Sequence, residues 1–202
     1  MALKIGVLIS GSGSNLQAII DEVKAGSLDV DIRMVISSRP DAYGLKRAEE
    51  AGIKTIALNK TVYADTEAAN QLIADELKAA GCEYVVMAGY MRMVTDPILD
   101  AFPDRVINLH PALLPSFKGA HGIQDAFDAG VKVTGVTVHL ANAEYDKGPI
   151  IAQRPVIIEE TDTVEMLEAK IHAVEHVLYP EVLRIVAAGR MTVGQDRKVH
   201  IA

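Results

Sequence analysis

Asn108 and His110 stand two residues apart at the end of a short apolar run, Val106-Ile-Asn-Leu-His110, which continues through Pro111-Ala-Leu-Leu-Pro115 into Ser116-Phe-Lys-Gly119. In an extended strand, residues two apart project to the same side, so this amide and this imidazole can face one cleft. A carboxylate follows the next apolar run, at Asp146 in Tyr145-Asp146-Lys147-Gly148-Pro149-Ile150. An amide, an imidazole and a carboxylate brought together can hold a carbonyl oxygen, move a proton and set the pKa at which it moves. Each also has an ordinary reading. A strand-end Asn is a common turn former, His110 reads equally well as a satisfied structural histidine, and Asp146-Lys147-Gly148 reads as a turn. Spacing alone leaves both readings open. His121, His139, His172 and His176 compete for the same role. Of these, His139 lies in an expected strand and is assigned to packing or a hydrogen-bond network. No H-E-x-x-H or paired-cysteine spacing is present, so no metal is expected. No Gly-x-Ser-x-Gly elbow supports a serine hydrolase.

Positioning such groups takes a scaffold of strands and helices. Apolar, β-branched runs at Ile5–Ile9, Ile32–Ile36, Tyr84–Ala88 and Val106–Leu109 predict strands, separated by helix-like stretches at Asn15–Ala25, Tyr43–Ala51 and Thr66–Ala80. Ala68, Leu72, Ile73, Leu77 and Ala80 recur at nearly helical spacing. Gly26, Gly52 and Gly81 follow where helix C-terminal glycine is expected. Alternating β and α units imply a largely parallel sheet covered on both faces. Two further β-rich runs, Thr134–Leu140 and Ile150–Ile158, are joined only by a loop, which implies an antiparallel component. Thr163–Ala188 predicts a long closing helix, bent or interrupted at Pro180, and the tail from Gly189 reads as short and polar. The expectation is one α/β, Rossmann-like domain over 1–202, with a mostly parallel, mixed central sheet flanked by helices and ligands bound beyond the strand ends.

Ser10-Gly11-Ser12-Gly13-Ser14-Asn15 follows the first strand and opens a helix. Glycines allow a tight turn and close approach, and the free amides of a helix start favour an anion. The run departs from a dinucleotide fingerprint because Leu16 replaces the third glycine and no acidic residue ends the second strand. Arg39 keeps a 2′-phosphate reading open, but a phosphate monoester held by Gly13, Ser14 and Asn15 fits better. A bland role for Ser14 or Asn15, capping the first helix, can coexist with it.

Composition narrows the classes. A net charge of −7 argues against a general nucleic-acid or membrane surface, without excluding a small anionic substrate. Half of the 202 residues are hydrophobic, but charges interrupt every run before membrane-spanning length. The first ten residues read as a strand rather than a signal peptide. The one cysteine, Cys82, permits no internal disulfide and fits a reducing cytoplasm.

The stretch Val106–Gly119, continued by Gly135-Val-Thr-Val-His139 and Asp146-Lys-Gly-Pro-Ile-Ile-Ala-Gln153, resembles the folate-dependent formyltransferase family. Ile9–Leu16 and Met87-Ala-Gly-Tyr-Met-Arg-Met-Val94 extend the likeness, in order, over nearly the whole chain. The resemblance implies transfer of the formyl group of 10-formyltetrahydrofolate to the amine of glycinamide ribonucleotide, in purine biosynthesis, without a metal. It implies a nucleotide-phosphate-binding N-terminal half and a folate-binding, catalytic C-terminal half. Asn108 would then donate to the oxyanion, protonated His110 would act as general acid, and Asp146 would raise the pKa of His110. Gly13, Ser14 and Asn15 would hold the phosphate, and Glu175, helped by His172, the glycinamide end. Met91, Arg92, Met93 and Val94 would line the pterin pocket, closed by the loop Asn142, Ala143, Glu144, Tyr145 and Asp146, with Asn108 at its edge. Thr66 stands where relatives carry an arginine near the folate tail, and Leu140 where an aromatic is frequent. A formyltetrahydrofolate deformylase and a non-catalytic nucleotide sensor are the alternatives, and self-association into a homodimer is left open.

Overall fold

In the computed structural model, which describes residues 1–202, the β-branched runs form Leu3–Ile9 (β1), Val30–Ser37 (β2), Tyr84–Met87 (β4) and Val106–His110 (β5). A three-residue strand, Thr55–Ala57 (β3), joins them; it is too short for any periodicity to reveal. Val133–Leu140 (β6) and Ile150–Ile157 (β7) complete a seven-stranded sheet of order β3-β2-β1-β4-β5-β6-β7. The pairs from β3 to β5 are parallel, whereas β5-β6 and β6-β7 are antiparallel. The expected Rossmann-like architecture is therefore present. Strands β1 and β4 are almost wholly buried, as strands covered on both faces must be, while the edge strand β7 leaves most of its residues exposed or partly so.

Helices Ser14–Lys24 (α1), Tyr43–Glu50 (α2) and Thr66–Ala79 (α3) match the helix-like stretches, with left-handed Gly26, Gly52 and Gly81 just beyond them. Two short helices escaped the pattern: Asp96–Ala101 (α4), opened by a proline, and Gly122–Asp128 (α5). Neither is long enough to repeat an apolar face twice. The closing helix spans Val164–Ala187 (α6), capped by the Thr163 hydroxyl accepting from the Met166 amide. It runs without a break through Pro180, which is buried, so of the expected bend or interruption the interruption is absent. The short tail carries secondary structure of its own. Met191–Val193 (β8) and Val199–Ile201 (β9) make an antiparallel hairpin, tied back by Arg197 donating twice to Asp104 at 2.9 and 2.7 Å.

Apolar packing fills both faces of the sheet. The larger cluster, under α1, α2 and α6, holds Ile5, Val7, Leu16, Ile107, Leu109 and Tyr179; the smaller, under α3 and α4, holds Leu8, Met34, Val85 and Ile98. No helix is long and apolar enough to cross a membrane. From its place in the larger core, the buried Tyr179 hydroxyl lies 3.0 Å from both the Met87 carbonyl, at the end of β4, and the Ile107 carbonyl, just before Asn108 on β5. The sheet order reverses at β1, which has β2 on one side and β4 on the other. Loops leaving the carboxyl ends of neighbouring strands diverge at such a point and open a crevice.

Candidate active site

Beyond that crevice, three segments bring their polar side chains together. Asn108 and His110 end β5, and the antiparallel register sets Asn108 opposite His139 on β6. Asp146 arrives from the loop after β6. Gly148 lets this loop close tightly, since a Cβ there would fall 1.7 Å from the Leu140 carbonyl oxygen. Asp146 itself has φ +51, a left-handed conformation that costs a non-glycine residue about 1 kcal/mol or more. The Gly119 amide, 2.8 Å from Asp146 Oδ2, helps to hold it there.

His110 is 3 % exposed. Its Nε2 donates to the Phe117 carbonyl at 2.7 Å, and its Nδ1 lies 3.4 Å from Asp146 Oδ2. With an acceptor at each ring nitrogen, only the imidazolium donates to both. Burial works in the other direction and is the stronger influence, so the His110 pKa lies below the usual histidine value despite Asp146 and the Phe117 carbonyl. Asp146 does push this pKa upward, as expected, but the carboxylate offsets only part of the desolvation. For Asp146, burial is again the largest single influence and pushes upward. The His139 ring, the Gly119 amide and the His110 charge together still carry it below the usual carboxylate range. The junction pairs a carboxylate that stays ionised with an imidazole poised to take up or release a proton.

His139 belongs to this junction too. Its Nδ1 donates to the Leu140 carbonyl at 2.9 Å, and its Nε2 lies 3.1 Å from Asn108 Nδ2 and 3.6 Å from Asp146 Oδ1. The expected hydrogen-bond network is there, but its position between two candidate catalytic groups emerges only from the cross-strand register. Leu140 is fully buried in the larger core and lines neither cleft. Its departure from an aromatic is therefore a matter of core packing, not of the site.

Two clefts meet at this junction, with Tyr90, Asn108, Tyr145 and Asp146 on the walls of both. The larger, about 340 Å³, reaches from His110 to the turn after β1 and to Glu168, His172 and Glu175 on α6. The smaller, about 50 Å³, is lined by Arg92, Met93, Val94, Asn142 and Glu144. Met91 borders the larger cleft instead, and Ala143, exposed within the loop, borders neither. Thr66 opens α3, away from both clefts. Sequence reasoning missed Tyr90, whose hydroxyl meets that of Tyr63 at 2.6 Å, and Glu168, whose carboxylate approaches His172 Nε2 at 3.4 Å. Glu168 stands four residues before His172, a helical spacing that could have disclosed it.

Left-handed Gly13 begins α1, and no side chain caps the helix. Neither Ser14 nor Asn15 performs the capping expected of them, because the helix starts one residue earlier. Asn15 Nδ2 instead donates to Glu175 Oε2 at 2.9 Å, linking positions 160 apart in the chain. The same oxygen meets His172 Nδ1 at 2.9 Å. That hydrogen bond is the main reason the His172 pKa lies above the usual histidine value. Glu175 is 3 % exposed, so its carboxylate is sequestered between an amide and a histidine. The amides of Ser12, Gly13, Ser14 and Asn15 donate to no protein acceptor. Such a turn can receive an anion. Arg39 is committed to Asp41 through two hydrogen bonds of 3.1 and 2.7 Å, which leaves little of it for a 2′-phosphate.

Known proteins share this fold. The formyl transferase family pattern matches residues 3–183. Phosphoribosylglycinamide formyltransferase of Bacillus subtilis is 40 % identical over 181 residues, 90 % of this chain and 93 % of that protein. The bovine trifunctional purine biosynthetic protein adenosine-3 is 39 % identical over 196 residues; the match takes in 97 % of this chain but only 19 % of that longer protein. Among solved structures, glycinamide ribonucleotide transformylase 1 from Symbiobacterium toebii superposes with a TM-score of 0.95 at 46 % identity, covering 99 % of this chain and 94 % of that one. The matched span takes in both clefts and every polar side chain where they meet, and the chain belongs to the formyl transferase family.

Proposed function

We propose that this chain transfers the formyl group of 10-formyltetrahydrofolate to the amine of glycinamide ribonucleotide, as the names of its relatives suggest. The observation that carries the reading is the shared wall: Asn108 and Asp146 line both clefts, and His110 stands beside them. A reaction joining two separately bound molecules needs its polar groups there.

The pterin of the folate occupies the smaller cleft, along Arg92, Met93 and Val94, with Met91 at its mouth and the Asn142–Asp146 loop folded over it. The ribonucleotide occupies the larger cleft, its phosphate on the amides of Gly13, Ser14 and Asn15 and its glycinamide end toward Glu175 and His172. Its amine attacks the formyl carbon, forming the new C–N bond and a tetrahedral intermediate with an oxyanion and a cationic nitrogen. Asn108 Nδ2 donates to the oxyanion, and a positioned donor of this kind is worth about 3–4 kcal/mol of barrier. The attacking nitrogen loses a proton, Asp146 and His110 pass one to the folate nitrogen, and the C–N bond to the folate breaks. Such transfer is worth about 10²–10⁴ in rate. No covalent enzyme intermediate and no metal are needed. Buried His110 is neutral near pH 7 before substrate binds; the developing oxyanion beside it favours the imidazolium.

The test is to incubate the protein with 10-formyltetrahydrofolate and follow tetrahydrofolate release with and without glycinamide ribonucleotide. Release that requires the ribonucleotide supports the transferase. Release without it would make the protein a deformylase, and no release would leave a nucleotide sensor.

A further inference from the structure

The wall of the larger cleft carries three carboxylates, Asp146, Glu168 and Glu175, two histidines, and no lysine or arginine. A phosphate monoester placed there meets a field that needs compensation from behind the wall. One helix supplies it. The start of α2 packs directly on the turn after β1, because Gly13 and Gly44 face one another without side chains. A Cβ on Gly13 would lie 2.6 Å from Gly44 Cα, and one on Gly44 would lie 3.1 Å from Gly13 Cα. At this distance the Gly44 amide donates to the Gly11 carbonyl at 3.1 Å.

One turn further along α2, half-buried Arg47 completes the attachment. Its Nε donates to the Ser12 carbonyl at 2.9 Å and its Nη1 to Gln17 Oε1 on α1 at 3.1 Å, while the Tyr43 ring lies 4.9 Å from the guanidinium carbon. In a trans peptide the N–H points opposite to the C=O. Tying the Gly11 and Ser12 carbonyls to α2 therefore turns the next two amides, those of Ser12 and Gly13, away from α2. Both of those amides lack protein acceptors. The guanidinium also places a full positive charge behind a turn whose own groups are neutral.

We propose that Arg47 is the positioning residue of the phosphate-binding turn, orienting its peptide planes and supplying the permanent positive charge that a cleft wall without lysine or arginine lacks. This rests on the reading that the ribonucleotide phosphate sits on that turn. Arg47 lines neither cleft described above, so it acts through the Ser12 peptide rather than by touching substrate.

The test compares Arg47→Gln and Arg47→Lys with the parent protein, using glycinamide ribonucleotide and its dephosphorylated riboside. The parent should bind the phosphorylated form more tightly. Arg47→Gln should raise the ribonucleotide Kd and KM by about ten-fold to a hundred-fold, the scale of a charge-assisted contact. Riboside affinity, formylfolate KM and kcat at saturation should not follow. Arg47→Lys, which keeps the charge but not the planar two-point hold, should lose less. Equal weakening of both ligands in Arg47→Gln, or no weakening of either, would overturn the role given to Arg47. A parent protein that binds both forms equally would overturn the phosphate assignment beneath it.

Discussion

At the turn after β1, the working groups are backbone amides, exposed to the cleft because a glycine pair lets α2 hold their carbonyls from behind. At the end of β5 they are side chains, taken from β5, β6 and the following loop and buried where each perturbs the proton affinity of the next. A turn of amides has no protonation state to lose and tolerates changes of side chain, provided that the glycines stay. The junction is the reverse: isosteric exchanges that leave the backbone untouched still alter its charge. Binding and chemistry on one cleft wall should therefore fail under different kinds of substitution.

One sharp break is Asn108→Ala, which removes the donor on the shared wall. Turnover should fall by about 10²–10³ with little change in ribonucleotide affinity, as steady-state kinetics would reveal. A large rise in KM with normal kcat would move Asn108 from chemistry to binding. Gly13→Ala attacks the other side. The new Cβ meets Gly44 Cα at 2.6 Å in a backbone at φ +71, so about 1–3 kcal/mol of strain is expected. Thermal unfolding should show the loss of stability, and the ribonucleotide KM should rise about ten-fold or more while formylfolate KM holds.

Asp146→Asn sharpens the comparison through pH. The Asp146 carboxylate partly offsets the burial that depresses His110. Its removal should push the His110 pKa lower still, so the limb of the pH–rate profile that reports this imidazole moves to lower pH. The stability signs differ between the two histidines. His110, depressed in the folded state, contributes stability that is lost as pH falls through the usual histidine value and below it. His172, raised by Glu175, contributes stability that is complete below the usual value and disappears as pH rises through its folded pKa. Stability measured against pH in His172→Ala should lack only this second component. The smallest effect is expected far from both regions. Arg197→Ala breaks an exposed ion pair to Asp104 and should cost about 1 kcal/mol or less, with turnover unchanged.

Much of the scaffold was legible because it obeys short-range rules. The β-branched runs became strands within a few residues of their expected limits, and three glycines marked helix ends. Segments too short to repeat a pattern were not legible: β3, α4, α5 and the β8–β9 hairpin. At the site, the alternation of a strand was enough to put Asn108 and His110 on one side, and the motif resemblance singled out Asp146. Other features depend on distances that no local pattern encodes. Register alone puts His139 against Asn108, the packing of α6 on α1 joins Asn15 to Glu175, and left-handed Gly13 displaces the expected cap. The direction of the His110 shift depends on burial depth, which a neighbouring carboxylate in the sequence does not disclose.

The division between a binding turn and a reacting junction is tested most directly by a single turnover with His110→Ala, using formylfolate labelled in the formyl group. The account predicts a chemical step slowed by about 10²–10⁴, with both dissociation constants close to those of the parent protein. A chemical step at the parental rate, or a loss explained wholly by weaker binding, would contradict it.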